Sequence, residues 1–167
     1  MTIAAPVLLH DGHDLEAFNC GVPPLDDWLK RRARGNAASG ASHTYVACDG
    51  MKVAGYYALA AGTVAVTSAT GRFRRTVPDP IPVIVLGRLA IDTAQHRKGL
   101  GRGLFRDAGL RVLRAADIIG VRGILVDAIT GDAKAFYVAL GMTASPLDPM
   151  MLMVTLPDLR ASLAAQP

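Results

Sequence analysis

Hydrophobic positions along the chain change period several times, and each change marks an element. After Pro23 and Pro24, Leu25, Trp28, Leu29 and Ala33 recur at helical spacing; proline is tolerated in a first turn because the N–H it lacks has no helical partner there. Gly35–Ser42 reads as a loop. Thr44–Cys48 and Lys52–Ala60 read as strands flanking Asp49-Gly50, a dipeptide that supplies the positive φ of a two-residue hairpin, and Thr63–Thr67 extends them into a meander. Three prolines between Pro78 and Pro82 make Arg72–Pro82 an irregular surface connection.

In the second half, Val83–Ile91 is a nearly continuous apolar run that suits a central strand buried on both faces. Asp92–Lys98 reads as a loop. From Leu100, the apolar positions Leu104, Ala108, Val112, Ala115 or Ala116 and Ile119 recur every three or four residues with arginines between them, the pattern of an amphipathic helix. Gly123–Ile129 reads as a second buried strand, Ala133–Leu140 as a short helix with Ala133, Phe136, Tyr137 and Leu140 on one face, and Met150–Leu156 as a last strand. Strands followed by βαβα and a strand predict an α/β fold in one domain spanning residues 1–167.

Composition narrows the class. At 167 residues, 51% hydrophobic and 19% charged, the chain carries enough apolar side chains to exclude disorder. The 19 uncharged residues from Val53 to Gly71 are rich in Gly, Ala, Ser and Thr, so a hairpin is expected there and no membrane span. Met1 to Pro6 has no basic lead or apolar stretch of a leader. Cys20 and Cys48 form neither a disulfide framework nor a zinc cluster, which fits a reducing cytoplasm. His10 and His13 lack further ligands at metal spacing, so no metal is expected. Met150, Met151 and Met153 read as core or dimer packing.

The net charge of +4 is unevenly spread. Lys30, Arg31, Arg32 and Arg34 form one basic cluster and Arg72, Arg74 and Arg75 another, while Arg88 to Arg114 holds seven positive residues against Asp92 and Asp107. Such patches attract polyanions, whether nucleic acid or the phosphates of a coenzyme, although arginines also serve as plain solvated helix faces.

Leu86-Gly87-Arg88-Leu89-Ala90-Ile91-Asp92, followed by His96-Arg97-Lys98-Gly99-Leu100-Gly101-Arg102-Gly103, carries the most chemistry. Glycines at a strand-loop-helix junction let backbone amides approach an anion, and the helix N-terminus adds unpaired N–H groups and partial positive charge. A pyrophosphate is the expected guest. The Gly-Lys-Ser/Thr of a P-loop is absent, and a dinucleotide fingerprint starting at Gly99 would need glycine where Leu104 stands.

The segment resembles the pyrophosphate loop of the GNAT acetyltransferases, Gln/Arg-x-x-Gly-x-Gly/Ala, with His96 in place of Gln/Arg. Phe18-Asn19-Cys20-Gly21 with Leu25 and Trp28-Leu29, Gly55-Tyr56-Tyr57-Ala58-Leu59, Leu86-Gly87-Arg88-Leu89-Ala90, Ala135-Phe136-Tyr137 and Pro149-Met150-Met151-Leu152-Met153 extend the likeness, over about residues 15–156, to the TacT-like GNAT toxins of bacterial toxin-antitoxin pairs. The resemblance implies a GNAT fold, a mixed central sheet flanked by helices, and acetylation of the α-amine of aminoacyl-tRNA by acetyl-CoA. A ribbon-helix-helix antitoxin and a homodimer are implied with it. Coenzyme contacts then fall on Leu89, Ala90, Ile91, His96, Arg97, Lys98, Gly99, Leu100, Gly101, Arg102, Asp132 and Phe136.

Acetyl transfer needs an uncharged amine, a stabilised oxyanion and a proton for the departing thiolate. Backbone N–H groups near Leu89 to Ile91 are the expected oxyanion donors, and the family motif makes Tyr137 the expected acid, against a default of a core tyrosine. No strong base is evident: Glu16 is the only glutamate, and Asp92 the only carboxylate beside the strand. A lysine amine is only about 0.1% neutral near neutral pH and an α-amine roughly a quarter, so a chain without a base suits α-amines. Arg31, Arg32, Arg34, Arg72, Arg74, Arg75 and Arg88 are candidates for tRNA phosphates, with Arg97, Lys98 and Arg102 near the cleft. A GNAT enzyme for a small amine or a protein N-terminus is the alternative, and a non-catalytic acyl-CoA-binding or nucleic-acid-binding module a third reading.

Overall fold

Leu25, Trp28 and Leu29 do set a helix, α1 (Pro23–Arg31), which begins on two prolines and buries Trp28 and Leu29. These details come from a computed structural model that describes residues 2–75 and 77–165; Met1, Thr76, Gln166 and Pro167, which fall within the expected 1–167 domain, lie outside the described residues. The expected loop Gly35–Ser42 is mostly a second helix, α2 (Ala33–Ser39). Nothing lies within 4 Å of where a Cβ on Gly35 would be, so that glycine is simply carried within the helix. The stop comes instead at Gly40, in the left-handed region at φ +79°, whose N–H donates back to the Ala37 carbonyl.

The expected hairpin forms from β2 (His43–Asp49) and β3 (Lys52–Val64). Its register pairs Asp49 with Lys52, so the two-residue turn is Gly50-Met51, one position beyond the expected Asp49-Gly50, with Gly50 at φ +61°. Between the pairs Ala47↔Gly55 and Cys48↔Val53 the register shifts, leaving Ala54 as the extra residue of a bulge. Thr63–Thr67 does not make a further strand. β3 runs on to Val64, and Val66–Ser68 is a 3-10 turn. A two-residue strand at the edge, β1 (Val7–Leu8), pairs antiparallel with β2.

The apolar run is β4 (Ile81–Ile91), two residues longer than expected at its start. Ile81, Val83, Leu86 and Ala90 are buried, Pro82, Ile84, Val85, Arg88, Leu89 and Ile91 are half-buried and Gly87 is exposed, so the expected burial on both faces is not met. After a 3-10 turn at Thr93–Gln95 comes α3 (Leu100–Ala116); Ile119 lies beyond its end and is exposed. β5 (Gly123–Asp127) stops two residues short of the expected Ile129, and α4 (Gly131–Ala139) follows. Two more unexpected elements follow α4: the short β6 (Thr143–Ala144) and a final helix, α5 (Leu156–Ala164), after β7 (Met151–Thr155). The strand order is β1-β2-β3-β4-β5-β7-β6. β4 and β5 pair in parallel at Ile84↔Ile124 and Val85↔Leu125, and β5–β7 and β6–β7 are antiparallel, so the sheet is mixed.

The chain divides into two compact units, Met1–Ala60 with Gly87–Ala108, and Ala61–Leu86 with Gly109–Pro167. In the first, Phe18, Trp28, Leu29, Val46, Val53 and Tyr56 form the core. Tyr56 donates to the Leu25 carbonyl at 2.6 Å and stacks on Trp28, while its neighbour Tyr57 points to the other face of β3 and donates to the Asp107 carboxylate on α3. In the second, Phe73, Ile81, Val83, Leu125 and Met153 pack together. There a Cβ on Gly123 would stand 1.9 Å from the Val154 carbonyl oxygen, so β5 and β7 come this close only because residue 123 has no side chain.

Candidate active site

Within the first unit, the end of β4 leads into the glycine-rich loop through a brace. Asp92 caps the 3-10 turn by accepting from Ala94 N–H at 2.9 Å, and its other oxygen accepts from Asn19 N–H at 3.1 Å. Asn19 also accepts from Thr93 N–H at its carbonyl and from Gly21 N–H at its side chain. Asp92 is therefore a loop brace and has both oxygens engaged. The His96 ring turns back to the strand, its Nε2 2.8 Å from the Ile91 carbonyl oxygen, so the histidine that replaces Gln/Arg fastens the loop to the residue preceding Asp92.

The next residues take unusual backbone shapes. Arg97 is the one non-glycine among the described residues with positive φ, +64°, and Gly99 follows at +81°. The first helical bond of α3 runs from Gly103 N–H to the Gly99 carbonyl, so the N–H groups of Leu100, Gly101 and Arg102 have no carbonyl one turn back within the helix. A Cβ at Gly99 or Gly103 would meet nothing within 4 Å. Backbone conformation accounts for glycine at 99, but no packing inside the chain accounts for it at 103; both leave the backbone open to approach from outside. Donors of this kind suit an anion such as a pyrophosphate. The side chains of Arg97, Lys98 and Arg102 are exposed and have no hydrogen-bonded or ionic partner among the described residues.

In the second unit, Asp132, Phe136 and Tyr137 share α4, whose N-cap is Thr130 accepting from Ala133 N–H at 3.0 Å. Tyr137 is buried, with Phe136 set edge-on at 5.2 Å, and burial holds its phenol well above the usual tyrosine range. It thus stays protonated at neutral pH, as an acid must. Asp132 is exposed in the first turn.

The basic candidates divide. Arg34 donates to the His13 carbonyl at 2.8 Å and ties down the N-terminal loop. Arg88 lies over Trp28, and Arg72 grips Asp158 through two hydrogen bonds of 2.7 and 2.6 Å. Arg31, Arg32, Arg74 and Arg75 are exposed, their side chains without a partner among the described residues. Sequence reading missed the Asn19–Asp92 brace, although Asn19-Cys20-Gly21 had marked one half of it. It also missed Arg122, which donates to the carbonyls of Phe73 and Arg72. Among the described residues no three His, Cys, Asp or Glu side chains gather as a metal site.

The mixed sheet, and the glycine loop joining β4 to α3, define a GNAT-type acetyl-CoA-dependent acetyltransferase. No family model matches the chain. It is 48% identical, over 95% of its length and 95% of the relative's, to the tRNA-acetylating toxin of Mycobacterium tuberculosis (strain ATCC 25618 / H37Rv). Solved structures of other proteins share the fold. AtaT complexed with acetyl-methionyl-tRNAfMet has a TM-score of 0.88 at 24% identity, covering 96% of this chain and 98% of that one. AtaTR bound with AcCoA has a TM-score of 0.81 at 25% identity, covering 93% and 95%. The chain belongs to the family of tRNA-acetylating GNAT toxins.

Proposed function

We propose that this protein transfers acetyl from acetyl-CoA to the α-amino group of aminoacyl-tRNA and so blocks translation. The observation that carries this reading is the match over nearly the whole chain to a tRNA-acetylating toxin. Residues 1–167 act as one GNAT domain, in the cytoplasm, as a homodimer neutralised by a ribbon-helix-helix antitoxin. No helix among the described residues is long and apolar enough to cross a membrane.

The chain's own groups supply the steps. Amides from Arg97 to Arg102 hold the coenzyme pyrophosphate, with Arg97, Lys98 and Arg102 adding charge, and Asp132 and Phe136 make further coenzyme contacts. Backbone N–H groups at Leu89 to Ile91 stabilise the oxyanion formed when the amine attacks the thioester carbonyl. As the C–S bond breaks, the Tyr137 hydroxyl delivers a proton to the leaving thiolate, and the proton shed by the attacking nitrogen, carried through water, restores the phenol. Both Asp92 oxygens already accept backbone hydrogen bonds, so it is no free base, and the amine reaches the site neutral, as an α-amine does readily.

Incubating charged total tRNA with labelled acetyl-CoA and the protein tests this. Label is expected on the aminoacyl adenosine released by nuclease. Label missing from that fraction while another amine is acetylated would transfer the assignment to the small-amine or N-terminal reading.

A further inference from the structure

Arg72, Arg75, Arg122, Thr155 and Pro157 line a cavity of about 90 Å³ in the second unit. Three arginines line it, and the one carboxylate paired with any of them is Asp158, bound to Arg72, which leaves two positive charges uncompensated among the lining residues. The groups are not equivalent. Arg72 is committed to Asp158 by two hydrogen bonds. Arg122 uses Nε and Nη2 on the carbonyls of Phe73 and Arg72, which fixes its plane and leaves Nη1 to donate elsewhere. Arg75 is exposed and its side chain has no partner among the described residues.

We propose that this cavity seats one backbone phosphate of tRNA, with Arg122 Nη1 as the fixed donor and Arg75 as the closing one, while Arg72 and Asp158 frame it. The proposal rests on the aminoacyl-tRNA reading above and adds to it a phosphate seat built from residues other than those assigned to acetyl transfer, with Arg122 as a new member. The volume suits a tetrahedral oxyanion. A preorganised guanidinium fork matches phosphate geometry better than a lysine would. The flanking turn carries three arginines in four positions, Arg72, Arg74 and Arg75, which suits phosphates in series better than a coenzyme with a single phosphate beyond its pyrophosphate.

Binding of uncharged total tRNA across a salt series, with wild type and Arg75→Ala, tests it; coenzyme A binding is measured alongside. The expected result is weaker tRNA binding by Arg75→Ala and a log-log salt slope shallower by roughly 0.9, one duplex phosphate contact, with coenzyme A affinity unchanged. Arg75→Lys should recover most of the slope. An unchanged slope overturns the proposal. A fall in coenzyme A affinity with tRNA binding intact overturns it too, by giving the seat to a coenzyme phosphate. If wild type itself fails to bind tRNA at low salt, the functional reading falls, and the cavity proposal with it; failure of the cavity alone shows only in the variant.

Discussion

The guanidinium carbon of Arg88 lies 4.3 Å from the centroid of the Trp28 ring, which in turn stacks on Tyr56. A cation over an indole face is worth about 1 kcal/mol when partly desolvated. Arg88→Ala is therefore expected to destabilise the protein by about that much in urea unfolding, whereas the exposed Arg31→Ala should stay within about 0.5 kcal/mol of wild type. Equal effects would show that the stacking contributes nothing.

Tyr137→Phe removes only the hydroxyl. Turnover should fall by about 10² to 10⁴, the usual worth of a positioned acid, with coenzyme A affinity within about twofold of wild type. Unchanged turnover would return Tyr137 to the status of a core residue.

Two glycines should respond in opposite ways. Gly123→Ala drives a methyl into the Val154 carbonyl, and the loss should exceed about 4 kcal/mol, seen as failure to fold. Gly103→Ala meets nothing and lies in α3, so its Tm should rise, by about 1 kcal/mol of stability at most, while KM for acetyl-CoA increases because the methyl intrudes where the coenzyme would approach the protein backbone.

His13 predicts a pH effect. It is buried, with Nδ1 accepting from His10 N–H at 3.0 Å, and burial first, then the neighbouring His10 and Arg34, hold its pKa below the ordinary 6.5. The unfolded chain thus binds a proton more readily than the folded one. Stability is full above 6.5 and declines as pH falls through the lower folded value. His13→Asn should flatten the urea midpoint between mildly acidic and neutral pH; an unaltered profile would place the acid sensitivity elsewhere.

Strong local signals carried most of the fold. Helical spacing located α1 and α3, and apolar runs located β4 and β5. What escaped depended on competition between local cues and packing. Gly, Asn and Ser suggested a loop at Gly35–Ser42, yet the neighbouring helical turns and the buried Ala33 hold α2 together. α5 did carry a legible start, Thr155 with Asp158 three residues on, but the apolar Leu156 read as strand. The glycine loop was legible because its chemistry is in the backbone. The Asn19–Asp92 brace spans 73 positions and no local pattern announces it, and the diversion of Arg34, Arg72 and Arg88 to structural partners follows from tertiary placement.

The single extra residue in the β2–β3 hairpin has a further consequence. Because strand side chains alternate, it sets which of two adjacent tyrosines meets α1 and which meets α3. Substitutions at the exposed Met51 and Lys52 should be widely accepted, but deleting one residue would exchange the two phenols, stripping Trp28 of its stacking partner and Asp107 of its donor together. Homologues are expected to vary in spelling across this hairpin while keeping its length parity.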